Sequence, residues 1–92
     1  MGPEAKLEAA VKKWADEKGW YCRKFTSPSN RAVPDRLFLK EGRVVFIELK
    51  APGRKPTKAQ EMELQWIREH GGEAYWADNL DDVKTILRGY EL

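Results

Sequence analysis

Two short runs of β-forming residues, Arg36-Leu37-Phe38-Leu39 and Val44-Val45-Phe46-Ile47, constrain this chain more than any other feature. Both are rich in aliphatic and aromatic residues, and the spacer Lys40-Glu41-Gly42-Arg43 carries a glycine, so the pair reads as a β-hairpin. With Glu41-Gly42 as a two-residue turn, Lys40 lies opposite Arg43 and Leu37 opposite Phe46. The same count brings Asp35 opposite Glu48.

Two carboxylates are thus set side by side at the open end of the hairpin. Directly opposed residues have Cβ atoms roughly 4.5–5.5 Å apart, and like charges there are destabilising unless something neutralises them. A divalent cation would do so. Strand alternation also puts Glu48 and Lys50 on one face while Leu49 points into a core. Val33-Pro34-Asp35 with Glu48-Leu49-Lys50 therefore offers oxygen ligands for an ion and an ammonium group beside them. Hydrolysis of a phosphodiester needs an activated water, charge stabilisation on the phosphate and orientation of both, which a metal ion and a lysine can divide. The bland alternative is a solvated hairpin mouth with an ordinary ion pair between Lys50 and a carboxylate.

Around the hairpin the chain carries the punctuation of a small α/β protein. Residues 4–18 read as a helix with Leu7, Val11 and Trp14 at helical spacing and Gly19 as its stop, and Trp20 to Phe25 reads as a strand. Thr26 to Ala32 is a loop rich in turn formers. Another loop, Ala51 to Pro56, leads to a helix over Thr57–His70 that Gly71-Gly72 ends. Ala74–Ala77 is a short strand, and Asn79 opens a last helix carrying Val83, Ile86 and Leu87. The order αβββαβα predicts a mixed sheet flanked by helices, which suits the continuous apolar run before Glu48.

These motifs resemble a known family. Val33-Pro34-Asp35, then Glu48-Leu49-Lys50, a Pro/Lys-rich loop and Gln60 opening a helix are similar to the PD-(D/E)xK nuclease superfamily and, within it, to the small VRR-NUC domain in its stand-alone phage and bacterial form. The resemblance runs from a first-helix glutamate to the last helix. Ala32 departs from the pattern, since members often have glycine before Val-Pro-Asp. The resemblance implies a restriction-endonuclease-like α/β core and a Mg²⁺- or Mn²⁺-dependent DNA endonuclease that leaves a 5′-phosphate and a 3′-hydroxyl. It further implies a homodimer acting on branched DNA such as a four-way junction. Asp35, Glu48 and the Leu49 backbone carbonyl would be metal ligands, joined by Glu8 of the first helix, and Lys50 would orient or deprotonate the attacking water.

Two of these assignments have equally good structural readings. A helical glutamate such as Glu8 is ordinarily solvated, and Glu4 is its rival for the site if the register differs. Thr57-Lys58-Ala59-Gln60 fits a capping box, with Thr57 capping the amide of Gln60 and the Gln60 side chain reaching back. The resemblance instead places Gln60 beside the active site. One side-chain conformation is not expected to serve both roles.

Charge supports a polyanionic partner. Net charge is only +2, yet residues 1–58 contain fourteen Lys/Arg against seven Asp/Glu, while residues 59–92 contain three against eight. The basic half is the half with the motif, as phosphate contacts require. Arg54, Lys55 and Lys58 in the loop after Lys50, with Arg31 and Arg36 flanking Asp35, are the candidate phosphate contacts. A DNA-binding module without catalysis would use the same loop, but would have no reason to keep two carboxylates and a lysine together.

The remaining composition excludes several classes. Ninety-two residues with 41% hydrophobic content suffice for one compact domain spanning 1–92, and chains this small commonly gain stability by oligomerising. Without an apolar stretch of membrane length or a secretion signal, a cytoplasmic protein with no membrane partner is expected. A single cysteine, Cys22, excludes an internal disulfide and reads as a small core residue, and with only His70 beside it a Cys/His zinc site is set aside. Trp14, Trp66 and Trp76 are expected to pack in the core. Leu64 and Ile67 fall off the Ala59/Met62/Trp66 stripe, and that surplus of apolar helix surface points to a subunit interface.

Overall fold

A computed structural model describes residues 1–89, and its elements follow the expected order. Helix α1 (Pro3–Glu17) starts on a proline, which tolerates the first turn because its missing N–H has no helical partner there. Three strands follow, β1 (Tyr21–Lys24), β2 (Arg36–Lys40) and β3 (Arg43–Leu49). Helix α2 (Lys58–Glu69), strand β4 (Glu73–Ala77) and helix α3 (Leu80–Arg88) complete the fold. Thr57 and Asn79 act as side-chain N-caps of α2 and α3, one residue before each helix begins.

The sheet is mixed, in the order β1-β2-β3-β4, antiparallel except where β3 runs parallel to β4. The hairpin register is the one counted from the turn: Lys40 pairs with Arg43, Leu37 with Phe46 and Arg36 with Ile47. Glu41 and Gly42 both take left-handed φ, 49° and 82°, the combination of a type I′ turn whose twist matches the flanking strands. Glu41 bears the cost of that conformation without glycine's freedom.

Alternation then divides the sheet. Cys22, Phe38, Val45, Ile47 and Leu49 are fully buried on one face and join Val11 and Ala15 of α1 and Val83 and Leu87 of α3 in the core. Each aliphatic chain buried there contributes about 1.5–3 kcal/mol relative to exposure. Burial pushes the Cys22 thiol pKa above its ordinary value, as befits a packing residue.

Helix α2 covers the other face at β4, and here the expected stripe is reversed. Leu64 is the buried residue, whereas Met62 and Trp66 stand 40% and 47% exposed. The return into β4 gives the reason. A Cβ on Gly72 would lie 2.6 Å from Ile67 Cγ2, so the glycine brings the chain tightly under the Leu64/Ile67 flank, and that flank alone finds cover. Trp14 is buried as expected and Trp76 is half-buried, so Trp66 is the exception. Beyond α2 the same sheet face carries the cross-strand row Tyr21, Leu39 and Val44, all exposed.

Candidate active site

Strand β3 delivers Glu48 and Lys50 to the end of the sheet away from the hairpin turn. Glu48 is 5% exposed, and its Oε2 lies 3.4 Å from the Lys50 ammonium. Asp35 falls one residue before β2 and does not extend the ladder. Its Oδ1 accepts a 2.9 Å hydrogen bond from the Leu49 amide, while its own carbonyl accepts from the Phe25 amide. Pro34, fully buried before it, helps fix the approach. Because N–H and C=O of an extended residue point the same way, the Leu49 carbonyl is directed to the Asp35 side of β3.

Gln60 overturns the expectation that its two roles exclude each other. Its Oε1 accepts from the Thr57 amide at 2.9 Å, completing the capping box, while its Nε2 donates to Glu48 Oε2 at 3.3 Å. The amide has an acceptor end and a donor end, and each is used once. The N-terminus of α2 is thereby tied to the carboxylate.

The electrostatics are those of an anionic site in need of a cation. Burial, reinforced by the charge of Asp35, raises the Glu48 pKa to about 7 against the opposing pull of Lys50. Asp35 is also raised, by burial first and then by Glu8, with the Leu49 amide opposing. Glu4 acts on Glu48 in the same sense. Among the described residues, however, no three acidic, histidine or cysteine side chains are gathered closely enough to hold an ion by themselves. Glu8 is therefore not assembled with Asp35 and Glu48.

The residues present fit a hard divalent cation on the chemistry of their donors. Among the described residues, Asp35 Oδ2 and Glu48 Oε1 make no hydrogen bond, whereas the second oxygen of each carboxylate is held in place. Two such oxygens and a carbonyl suit Mg²⁺, which is commonly held by one or two carboxylates and keeps several waters. Two grooves flank the pair. One, of about 340 Å³, runs past Asp35, Glu48, Gln60 and Arg31, and the other, of about 590 Å³, past Lys50, Arg54, Lys55 and Glu4.

Comparison with known proteins bears on the fold and on kinship. No family model matches the chain. A solved structure named VRR_NUC domain superposes with a TM-score of 0.87, covering 98% of this chain and 99% of that one at 23% identity. A second, named VRR_NUC domain protein, gives 0.81 over 97% and 88% at 19% identity. At those identities the likeness is one of fold. A sequence relative decides the membership: "Putative nuclease p44" of Acyrthosiphon pisum secondary endosymbiont phage 1 is 49% identical over 70 residues, 75% of this chain and 74% of that protein.

The chain belongs to the family of that phage protein, and its fold is that of a VRR_NUC domain.

One candidate phosphate contact lands elsewhere than expected. Arg36 is 8% exposed, with its Nε buried and unpartnered, so it is withdrawn from the surface on which phosphate contacts were expected. It pairs with Ile47, whose side chain is buried in the core, and strand alternation carries its guanidinium to the same helix-covered face. Arg31, Arg54, Lys55 and Lys58 are exposed. The structure also adds positioning residues that the motifs did not single out. Asn30 accepts from the Ala32 amide and donates to Glu63 of α2 at 3.0 Å, and Asp78 accepts from the Gly53 amide at 2.9 Å. The loop between β1 and β2 is thus fastened to α2 and the basic loop to the end of β4. An Asx turn at Asn30 was legible in Ser29-Asn30-Arg31-Ala32, but its partner across the fold was not.

Proposed function

We propose that this chain is a divalent-metal-dependent endonuclease that hydrolyses phosphodiester bonds in DNA, acting as a homodimer on branched substrates. The observation that carries this reading is the division of labour on Glu48. Lys50 and Gln60 hold one oxygen, the Leu49 amide holds one oxygen of Asp35, and each carboxylate keeps an oxygen for a ligand. The name of the phage relative and the shared fold support the same chemistry.

Asp35, Glu48 and the Leu49 carbonyl would hold Mg²⁺ or Mn²⁺, with Glu8 reaching them by a change of rotamer. The bound ion would polarise the phosphate and lower the pKa of a coordinated water. Lys50 stands where it can orient the attacking water, take its proton or neutralise charge developing on the phosphate. Gln60 keeps Glu48 from turning away, and Arg31, Arg54, Lys55 and Lys58 would track the flanking backbone. The products would carry a 5′-phosphate and a 3′-hydroxyl. A homodimer gains support from the exposed Tyr21, Leu39 and Val44 row and from the exposed Met62 and Trp66 of α2.

A cleavage assay on a four-way junction, a flap and a linear duplex tests the activity. Cutting is expected with Mg²⁺ or Mn²⁺, to stop with EDTA and to favour the junction. Cutting that persists in EDTA would refute the metal mechanism, and tight binding without cutting in either metal would indicate a non-catalytic module. Light scattering should give twice the 10.7 kDa chain mass. Trp66→Glu is expected to return it to one chain, and a single-chain mass for the unaltered protein would remove the paired-cut model.

A further inference from the structure

The end of the sheet opposite Glu48 carries a second cluster of positive charge that the cleavage chemistry does not use. Trp14 of α1 and Trp20 before β1 are each 8% exposed and floor a groove of about 430 Å³. Cations ring them: Lys84 and Arg88 of α3 lie 6.0 and 5.8 Å from the Trp14 ring centre, and Lys40 and Arg43 lie 5.9 and 5.7 Å from that of Trp20.

Two of these cations are structural. Arg43 makes a paired contact with the Glu73 carboxylate and donates to the Ile86 and Leu87 carbonyls at the end of α3, and Lys40 donates to the Lys18 carbonyl at 2.7 Å. They lock the turn, the α1 terminus and the α3 terminus into one rim. Lys18 and Arg88 are exposed on that rim, Lys84 lies half-buried beside it, and none has an acidic partner within 4.0 Å among the described residues. Among the described residues Glu41 is the one acid lining the groove. Lys84 and Arg88 keep their charged ends within about 6 Å of the Trp14 ring, whose face attracts cations. The indoles themselves are too covered to stack a base, so what the rim offers is spaced positive charge for a polyanion.

Its position says which part of a polyanion. Strand β3 runs from Arg43 at this rim to Leu49 beside the site, and from Arg43 to Lys50 the chain covers roughly 23 Å at about 3.3 Å per residue. Along duplex DNA that corresponds to roughly seven base pairs at about 3.4 Å each. We propose that Lys18, Lys84 and Arg88 form a second DNA-backbone contact, which holds an arm of the substrate about seven base pairs from the phosphate being cut. This rests on the nuclease reading and extends it to how much DNA the protein must engage.

The test is equilibrium binding in EDTA, read by fluorescence anisotropy across a range of salt, on junctions with long arms and with arms cut to about five base pairs. The triple variant Lys18→Gln, Lys84→Gln, Arg88→Gln should lower the slope of log affinity against log salt by about 2–3, since each phosphate contact contributes about 0.9. Affinity for long arms should fall about 10- to 100-fold, and the variant should no longer distinguish long arms from short ones. With Mg²⁺, KM should rise and kcat should hold. Lys18→Gln alone, at an exposed turn outside the packed α1–α3 contact, should lower the slope by about 0.9 and guards against loosening of α3. An unchanged slope, or arm-length discrimination retained by the triple variant, overturns the second contact. Failure of the unaltered protein to bind any DNA overturns it together with the nuclease reading.

Discussion

Lys50→Ala is expected to lower the cleavage rate by about 10²–10⁴-fold while leaving DNA binding nearly intact, the range seen when a positioned general acid-base or charge-stabilising group is removed. The expectation follows from the ion pair. Among the described residues Lys50 is the one ammonium in contact with Glu48, and its side chain is mostly buried at the end of β3. Its backbone remains anchored by the bond from its amide to the Ala77 carbonyl, which the substitution does not touch. Loss should therefore fall on kcat rather than on folding or KM. Single-turnover cleavage with Mg²⁺, alongside a thermal melt, checks this. A variant that cuts within threefold of the unaltered protein would remove Lys50 from the chemistry.

Glu48→Gln is expected to abolish metal-dependent cleavage and, in EDTA, to make the protein more stable at high pH. The sign follows from the shift. The Glu48 pKa is raised from 4.5 to about 7, so the folded state favours the protonated form, and stability drains away as pH climbs through the interval between those values. At about 1.4 kcal/mol per pH unit, the penalty reaches roughly 3 kcal/mol above pH 7. A neutral amide escapes it. The variant should therefore melt higher than the unaltered protein at pH 8 by roughly 10–20 °C, and the gap should close by about pH 4.5. Asp35 shares the field and titrates with Glu48 as a pair, which broadens the transition without changing its direction. Added Mg²⁺ should stabilise the unaltered protein and not the variant, because only the former gains binding free energy in the folded state. A gap that does not vary with pH would show that Glu48 is not held at an electrostatic cost.

That cost is what marks the pair as more than a solvated hairpin mouth. A surface ion pair between Lys50 and a carboxylate would be worth about 0–1 kcal/mol and would leave the carboxylate near its ordinary pKa. Here Glu48 is buried beside a second carboxylate, and the lysine only partly offsets the penalty. Such strain persists where a ligand relieves it.

Much of the site could be read from local pattern. The type I′ turn at Glu41-Gly42 and the alternation of Leu37, Phe38, Val45 and Phe46 determined the register as far as Arg36 and Ile47, one residue short of the expected pairing of Asp35 with Glu48; Asp35 reaches β3 instead through the Leu49 amide. Thr57 and Gln60 announced a capping box by spacing alone. These are short-range features, decided by backbone sterics and by hydrogen bonds between residues a few positions apart.

Other assignments depended on which surfaces meet. Trp66 and Leu64 belong to the same helix with comparable apolar character, and only the tight return at Gly72 chose the Leu64 flank for burial. Arg36 sits beside Asp35 in sequence, yet alternation sends it to the opposite face of the sheet, beneath α1. By itself, then, the sequence determined the hairpin, the element order and the placing of Glu48 and Lys50 together at the end of β3, because periodicity and turn chemistry act within a few residues. Tertiary structure alone decided that Gln60 joins the cap to Glu48, that each carboxylate keeps an oxygen for a ligand, and that a second basic rim lies at the far end of β3. Those outcomes depend on where α1, α2 and α3 land on the sheet, and packing over long sequence separations settles that.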